Sequence, residues 1–501
     1  MKTNIRKKYT VKPRLSQGRR ILIGNHEESK EYVFLGRLAE AGQLVRVDFD
    51  LSIPHVVAIF GKRGSGKSYT LGSFLEGLCT KEAETTISAI SKNWAALLFD
   101  TLGIFQWLDV PLSPDSSQKL LQEQARSQIG WDIKSEPLNV QIWAPRGTTS
   151  FAGQQKTTSF ARQYKEFTIN CADFTASDWG YLLGVDILQD RMGQLLNDAY
   201  EKVVNEGWSD GSRTYPPRVR YAIEDLMDCV QCDTEILENY HSETRRAVLQ
   251  QLSVYWRNPL FQPKRRIPQD LERLLKEGKV SEEEVKRYES VEGTALNSLL
   301  KPGQLSVLLL HDMSSDELRF VLIVSLIRKI MQARLETSEM EKNLKILPDL
   351  TEGERRALEE KIRQGIPPTW IVADEAQNFL PSERKTSATD ALIRLVREGR
   401  NFGLSFMLTT QQPSAIDQRI LAQVDTLIVH KLTVQNDIDY IKRNLKSALP
   451  EEVRYGNSIL EFDHLLRALD VGQAIISNTE ADRTFILDVR PRVSVHGGFG
   501  V

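Results

Sequence analysis

A chain of 501 residues, 41% hydrophobic and 26% charged with a formal net charge of −2, has an ordinary globular composition, long enough for roughly two to four domains and a sizeable core. The balance supplies no overall positive field for nucleic acid, and no apolar run approaches the roughly 18–20 residues that span a bilayer. The amino terminus lacks the apolar core of a secretory signal and the chain holds only four cysteines, so a cytoplasmic location without a membrane partner is expected.

The first 20 residues carry eight Lys/Arg and no acid, the pattern of a solvated arm or of a segment that tracks phosphates. Alternating stretches follow in "ILIGNHEESKEYVFLGRL" and "GQLVRVDFDLS" and predict a small sheet or partial barrel. "HVVAIF", residues 55–60, is an unbroken apolar strand that runs into a glycine loop, after which Leu71, Phe74, Leu75 and Leu78 mark the buried stripe of a helix. "AALLFD" (95–100) and "NVQIWAP" (139–145) read as further buried strands. From about residue 155 to 295 the spacing turns helical, as in "DWGYLLGVDILQDRMGQLLNDAYEKVV", and predicts a helical insertion. Within it Cys229 and Cys232 form a lone C-x-x-C, with Cys79 and Cys171 far off in sequence and no nearby ligand pair to complete a zinc set.

Strand character returns in "LSVLLLHDM" (305–313), and Ser315 is placed to cap the helix "DELRFVLIVSLIRKIMQAR". The charged stretch 337–366 reads as a surface excursion. Strands recur at 369–373, 404–409 and 426–430, and "GQAIIS" with "RTFILDVRPR" reads as a final strand pair. Fully apolar strands alternating with helices predict an α/β fold whose mainly parallel sheet is covered on both faces. The expected boundaries are 1–53 for the basic arm and small barrel-like domain, 54–150 and 301–490 for the two parts of the core, 151–300 for the insertion and 491–501 for a tail.

"GKRGSGKS", residues 61–68, fits G-x-x-x-x-G-K-[ST] between a buried strand and a helix. The glycines let successive N–H groups turn toward an anion, and the helix terminus adds partial positive charge. Gly61, Lys62, Arg63, Gly64, Ser65, Gly66, Lys67, Ser68 and Tyr69 are therefore the candidate nucleotide-binding residues. Lys67 is assigned to the β- and γ-phosphates, and Ser68 to Mg²⁺. "TWIVADEAQNF", 369–379, puts two carboxylates at the end of an apolar strand, the edge that faces ligand in a parallel sheet. Asp374 is assigned to the Mg²⁺ shell and Glu375 to the general base that polarises the attacking water. No N-K-x-D motif for guanine is visible, so ATP is the expected nucleotide.

"LIRLVREGRNFGLSFMLTTQQPSAI", 392–416, sets Arg394, Arg397 and Arg400 at three-residue spacing, a slanting stripe stepping about 60° per arginine around a helix. Leu392, Ile393, Leu395 and Val396 fill its buried side. The strand that follows delivers Gln411 to the edge of Asp374, where an amide can bond both the γ-phosphate and the lytic water. Two readings stand for the arginines. They are a solvated helix face, or Arg400 projects to another subunit's phosphate, a contribution on the order of 10³–10⁵ in rate in well-studied NTPases.

"GKRGSGKSYTLG", "VADEAQNF", "REGRNFGLSFMLTTQQPSAI" and the terminal "RPRVSVHGG" together resemble the HerA-like branch of the HerA/FtsK ATPases, over roughly residues 30–500. The resemblance implies an N-terminal barrel, a RecA-like core with a helical insertion, and a hexameric ring. It further implies ATP-driven movement on double-stranded DNA beside a separate nuclease or other effector. Lys67 and Ser68 then match the phosphate loop, Asp374 and Glu375 the Walker B acids, Gln411 the sensor amide, and Arg400 the arginine-finger region. Two departures stand out. "DTLGIF" (100–105) has Ile104 where relatives often carry an acid, leaving Asp100 as the available carboxylate, and the barrel region is short. Arg397 and Arg490 remain alternatives to Arg400 as the arginine supplied in trans, while Arg490 and Arg492 are equally readable as local salt bridges. The competing functional reading is an ATP-dependent scaffold that assembles and controls an anti-phage effector without processive translocation. A membrane-bound conjugation-type pump is a third.

Overall fold

The computed structural model describes residues 20–24, 29–39, 45–91, 93–147, 164–261, 277–278, 293–313, 315–378, 387–444, 452–455, 458–478 and 483–498. The basic arm up to residue 19 lies outside them. The chain divides into two compact units, one built from residues up to Ile142, Leu299–His311 and Ile330 onward, the other from Trp143–Ser298 and Asp312–Lys329.

The first unit is organised by one mixed sheet. Its parallel core runs in the order Thr426–Val429, Val56–Phe60, Leu404–Thr410, Thr369–Ala373, Ala95–Asp100, Leu305–Leu309. The strands Val56–Phe60, Ala95–Asp100, Leu305–Leu309, Thr369–Ala373 and Leu404–Thr410 are buried at every residue, which is why their sequences are continuous apolar runs rather than alternating ones. The register aligns the carboxyl ends: Phe60 lies opposite Thr410, Ala373 opposite Phe99, and Asp100 opposite Leu309. Functional groups just beyond those residues are thereby brought to one edge.

Antiparallel strands extend the sheet on the far side of Thr426–Val429, first Gln473–Asn478 and then Arg483–Val489. The strands expected in a small amino-terminal sheet or partial barrel join this sheet. Tyr32–Leu38 pairs with Arg483–Val489, and Arg46–Asp50 and Arg20–Ile23 follow, so these strands prolong the core sheet. Gly36 permits the join. A Cβ there would lie 2.0 Å from the Asp488 carbonyl oxygen, and the register shifts between Phe34 and Gly36.

The helix Lys67–Leu78 buries Leu71, Phe74, Leu75 and Leu78, the stripe expected from spacing; each such side chain contributes about 1.5–3 kcal/mol. Phe74 packs on Trp370, whose ring also meets Phe49, His55 and Trp94. The charged stretch after residue 337 forms the end of the helix Asp316–Ile346 and the helix Glu352–Gln364, which buries no residue.

The second unit contains the helices Ala176–Leu183, Arg191–Glu201, Ile223–Cys232, Thr234–Asn239 and Ser242–Trp256. Thr175 and Asp178 form a capping box on the first, and Phe174, Trp179, Tyr255 and Phe261 make an aromatic core. Ser315 Oγ accepts from Leu318 N at 3.2 Å, the cap expected for its helix. Burial pushes the Cys229 and Cys232 thiols up.

Candidate active site

The glycine loop begins where the Val56–Phe60 strand ends. Gly61 N donates to Thr410 O at 3.3 Å and Lys62 N to Lys431 O at 3.0 Å, fixing the loop to both neighbouring strands. Ser65 Oγ donates back to Lys62 O at 2.8 Å, and Thr70 N donates to Gly66 O at 2.9 Å to open the helix. Gly64 and Gly66 hold φ of 76° and 108°, the left-handed region that favours glycine. Lys62, Arg63 and Gly64 are exposed, Ser68 and Tyr69 half-buried, and Ser65 and Lys67 buried. A helix amino terminus preceded by such a loop is an anion cradle.

The structure brings Lys67, Asp374, Glu375 and Gln411 together. Lys67 Nζ lies 2.9 Å from Glu375 Oε1, and Gln411 Nε2 donates to the same oxygen at 2.7 Å. Gln377 Nε2 donates to Glu375 Oε2 at 2.6 Å. Glu375 itself sits at φ 52°, an uncommon conformation for a residue with a side chain and a mark of strain held at a site. Thr409 stabilises it: its hydroxyl accepts from Glu375 N at 3.1 Å and donates to Asp374 Oδ1 at 2.6 Å.

The two acids titrate in opposite directions. Burial raises Asp374, against the pull of Lys67 and Thr409. Burial also works to raise Glu375, but the Lys67 ammonium and the Gln377 and Gln411 amides hold it below the usual carboxylate range. Asp374 Oδ2 is buried and without a hydrogen-bond partner among the described residues. A buried carboxylate oxygen left open beside a phosphate loop fits a divalent cation shell, so Asp374 and Ser68 suit Mg²⁺ and the loop suits a nucleotide triphosphate.

Asp100 has another task. Its Oδ1 accepts from Leu102, Gly103 and Ile104 N–H at 3.2, 2.8 and 3.3 Å, and its Oδ2 from Phe105 N at 2.8 Å. Burial and the Asp374 charge push its pKa up to about 7 against these donors. The carboxylate shapes the "TLGIF" turn beside Asp374 by accepting from four backbone N–H groups of that turn.

The arginines separate. Arg394 pairs with Glu398 at 2.8 Å on the helix surface, and Arg397 is exposed. Arg400 Nη1 lies 3.5 Å from Asp425 Oδ2. Arg400 precedes the strand Leu404–Thr410 and Gln411 follows it, so the two stand at opposite edges of the sheet, roughly 20 Å apart at 3.3 Å per residue. Arg490 and Arg492 are fully buried on Glu76, at 2.9 and 3.2 Å; they are local salt bridges that tie the tail to the helix after the phosphate loop. Arg492 N also donates to Tyr69 Oη at 2.9 Å.

Thr409, Gln377 and Glu76 were not legible as site residues. The Thr-Thr ahead of Gln411 carried a signal for the first, because a hydroxyl at a strand end beside two acids has few other partners. Glu76 gave none, since its arginines lie more than 400 positions away.

The family model described as "Helicase HerA, central domain" matches residues 33–330, more than half of the chain. The chain belongs to the HerA helicase family. Its phosphate loop lies inside the matched segment, and Asp374, Glu375 and Gln411 beyond it complete the arrangement of a P-loop ATPase. A probable helicase of Methanocaldococcus jannaschii is 32% identical over 125 residues, 24% of this chain and 22% of that protein. The DNA double-strand break repair helicase HerA of Pyrococcus furiosus is 26% identical over 153 residues, 29% of this chain and 27% of the relative. The HerA-like chain thus aligns with about a quarter of the length of these relatives. Among solved structures, VirB4 of Thermoanaerobacter pseudethanolicus superposes with a TM-score of 0.48 at 13% identity, covering 93% of this chain and 98% of that one. No helix among the described residues is long and apolar enough to cross a membrane.

Proposed function

We propose that this HerA-family protein is an ATP-hydrolysing motor that moves on double-stranded DNA as a homo-hexameric ring, in the cytoplasm, with a separate nuclease or other effector as its partner. The observation that carries the reading is the meeting of Lys67, Glu375 and Gln411 at one sheet edge, beside the open oxygen of Asp374. Gly61–Ser68 and Tyr69 take the nucleotide, and Lys67 turns from Glu375 to the β- and γ-phosphate oxygens. Ser68 and Asp374 would hold Mg²⁺, which neutralises phosphate charge when bound. Glu375, freed of Lys67, orients the lytic water as general base, and Gln411 senses the γ-phosphate from the neighbouring strand end.

Arg400 stands at the edge opposite its own phosphate loop, which supports its serving the phosphate of another subunit. That placement favours a ring in which each site is completed by its neighbour. DNA as the track is supported by family membership and by the printed names of the relatives, which include DNA double-strand break repair helicases.

The test is the steady-state ATPase rate with and without linear double-stranded DNA, with Lys67→Ala as the control. Stimulation by DNA supports the motor. A DNA-indifferent rate favours the scaffold that controls an anti-phage effector, and hydrolysis surviving in Lys67→Ala removes the site assignment itself.

A further inference from the structure

We infer that His430 is a positioning residue that holds the phosphate loop in its anion-receiving shape from beneath, by tying Thr70 to the backbone of Gln473, and so sets nucleotide affinity. The inference rests on reading Gly61–Ser68 as a nucleotide phosphate loop. His430 follows the strand Thr426–Val429, and its N–H donates to the carbonyl of Phe60, the last strand residue before the loop, at 2.8 Å. The next carbonyl, that of Lys431, accepts from Lys62 N at 3.0 Å. The backbone on both sides of the imidazole therefore carries the start of the loop.

The ring is fully buried, and its proton is placed by its partners. Nδ1 lies 2.8 Å from the Gln473 carbonyl oxygen, which only accepts, so Nδ1 carries the proton. Nε2 lies 2.8 Å from Thr70 Oγ1 and, in the neutral ring, accepts from that hydroxyl. Burial and the Lys67 ammonium lower the pKa to about 4, so the ring is neutral at physiological pH. Thr70 lies in the first turn of the helix that receives the phosphates, and Gln473 begins the strand Gln473–Asn478, which pairs with Thr426–Val429.

Packing points the same way. A Cβ on Gly61 would come within 2.7 Å of His430 Cβ, and one on Gly66 within 3.5 Å of His430 Cε1 and 3.3 Å of Gly472 N. The glycines that turn toward the anion do so with the imidazole and the Gly472 turn pressed against their other side. A core histidine with no bearing on the loop would leave nucleotide affinity untouched when replaced. One that shapes the loop changes affinity ahead of turnover, because the reacting groups Glu375 and Gln411 hang from other strands.

The experiment measures affinity for a fluorescent ATP analogue, KM, kcat and the thermal midpoint for wild type, His430→Leu, His430→Gln, Thr70→Val and Thr70→Ser. His430→Leu and Thr70→Val are each expected to weaken nucleotide binding about tenfold, the scale of one lost buried hydrogen bond, with kcat at saturation changed far less. Thr70→Ser restores affinity, and His430→Gln, whose amide oxygen reaches the Nε2 position, retains most of it. Wild-type affinity in the folded fraction of Leu and Val variants overturns the inference, whatever their thermal midpoints. Failure of the wild type itself to bind nucleotide overturns the phosphate-loop reading instead.

Discussion

Lys67 Nζ lies 2.9 Å from Glu375 Oε1, so the phosphate-binding cation and the proposed general base neutralise one another across the site. Both side chains are nearly inaccessible, where an ion pair of this kind costs desolvation as well as gaining attraction. Phosphate must take Lys67 from Glu375, and that exchange frees the carboxylate for water. Glu375→Gln is therefore expected to bind ATP at least as tightly as wild type while losing on the order of 10²–10⁴ in kcat. Equilibrium binding beside steady-state turnover checks it, and a variant that hydrolyses within a few fold of wild type would remove Glu375 from the role.

Thr409 supports both acids with one hydroxyl, and it does so at a strained Glu375 backbone. Thr409→Val keeps the shape and deletes both bonds. Hydrogen bonds to charged groups are worth about 1.5–3 kcal/mol, so a loss of about 10- to 100-fold in kcat is expected, with nucleotide affinity largely kept. Thr409→Ser should recover most of the rate. A Val variant with full activity would show that strand packing alone holds the acids.

Arg400→Ala should abolish hydrolysis and leave nucleotide binding intact, since the arginine stands at the edge opposite its own phosphate loop. Mixing decides whether it acts in trans. Arg400→Ala and Lys67→Ala chains are each inactive alone, and mixed rings should regain activity where an intact phosphate loop meets an intact Arg400. No recovery on subunit exchange would place the arginine in a structural role on Asp425.

His55 gives the fold a pH-dependent stability. Its Nδ1 lies 3.5 Å from Asp425 Oδ2 and its Nε2 3.8 Å from Asp50 Oδ2, contacts too long for good hydrogen bonds and held by charge. Burial lowers its pKa, but the two carboxylates overcome that and raise it from 6.5 to about 9. A folded pKa above the unfolded one means the contribution is complete below 6.5 and is lost as pH rises through about 9. The thermal midpoint of wild type should therefore fall toward that of His55→Asn over this window. Parallel profiles would contradict the pairing.

The parallel core was legible because its strands are buried on both faces, and such strands announce themselves as unbroken apolar runs. The phosphate loop was legible because G-x-x-x-x-G-K-S has one physical use between a strand and a helix. The partnering of Tyr32–Leu38 with Arg483–Val489 was not, since nothing local in either strand names a partner some 450 residues away. Asp100 read as an available carboxylate, but four nearby backbone N–H groups claim it, and sequence does not show which way a turn folds back. Arg490 and Arg492 read either as arginines that reach another subunit's nucleotide or as local salt bridges, and the second is what forms. They are among the largest fully buried side chains, because Glu76, a lone acid beside an apolar helix stripe, is their counter-charge.

Movement along duplex DNA driven by ATP hydrolysis can be read from displacement of a triplex-forming oligonucleotide from linear double-stranded DNA. Wild type is expected to strip the third strand with ATP, and to fail with a non-hydrolysable analogue or with Lys67→Ala. An enzyme that hydrolyses ATP on that DNA while the triplex stays intact would contradict it.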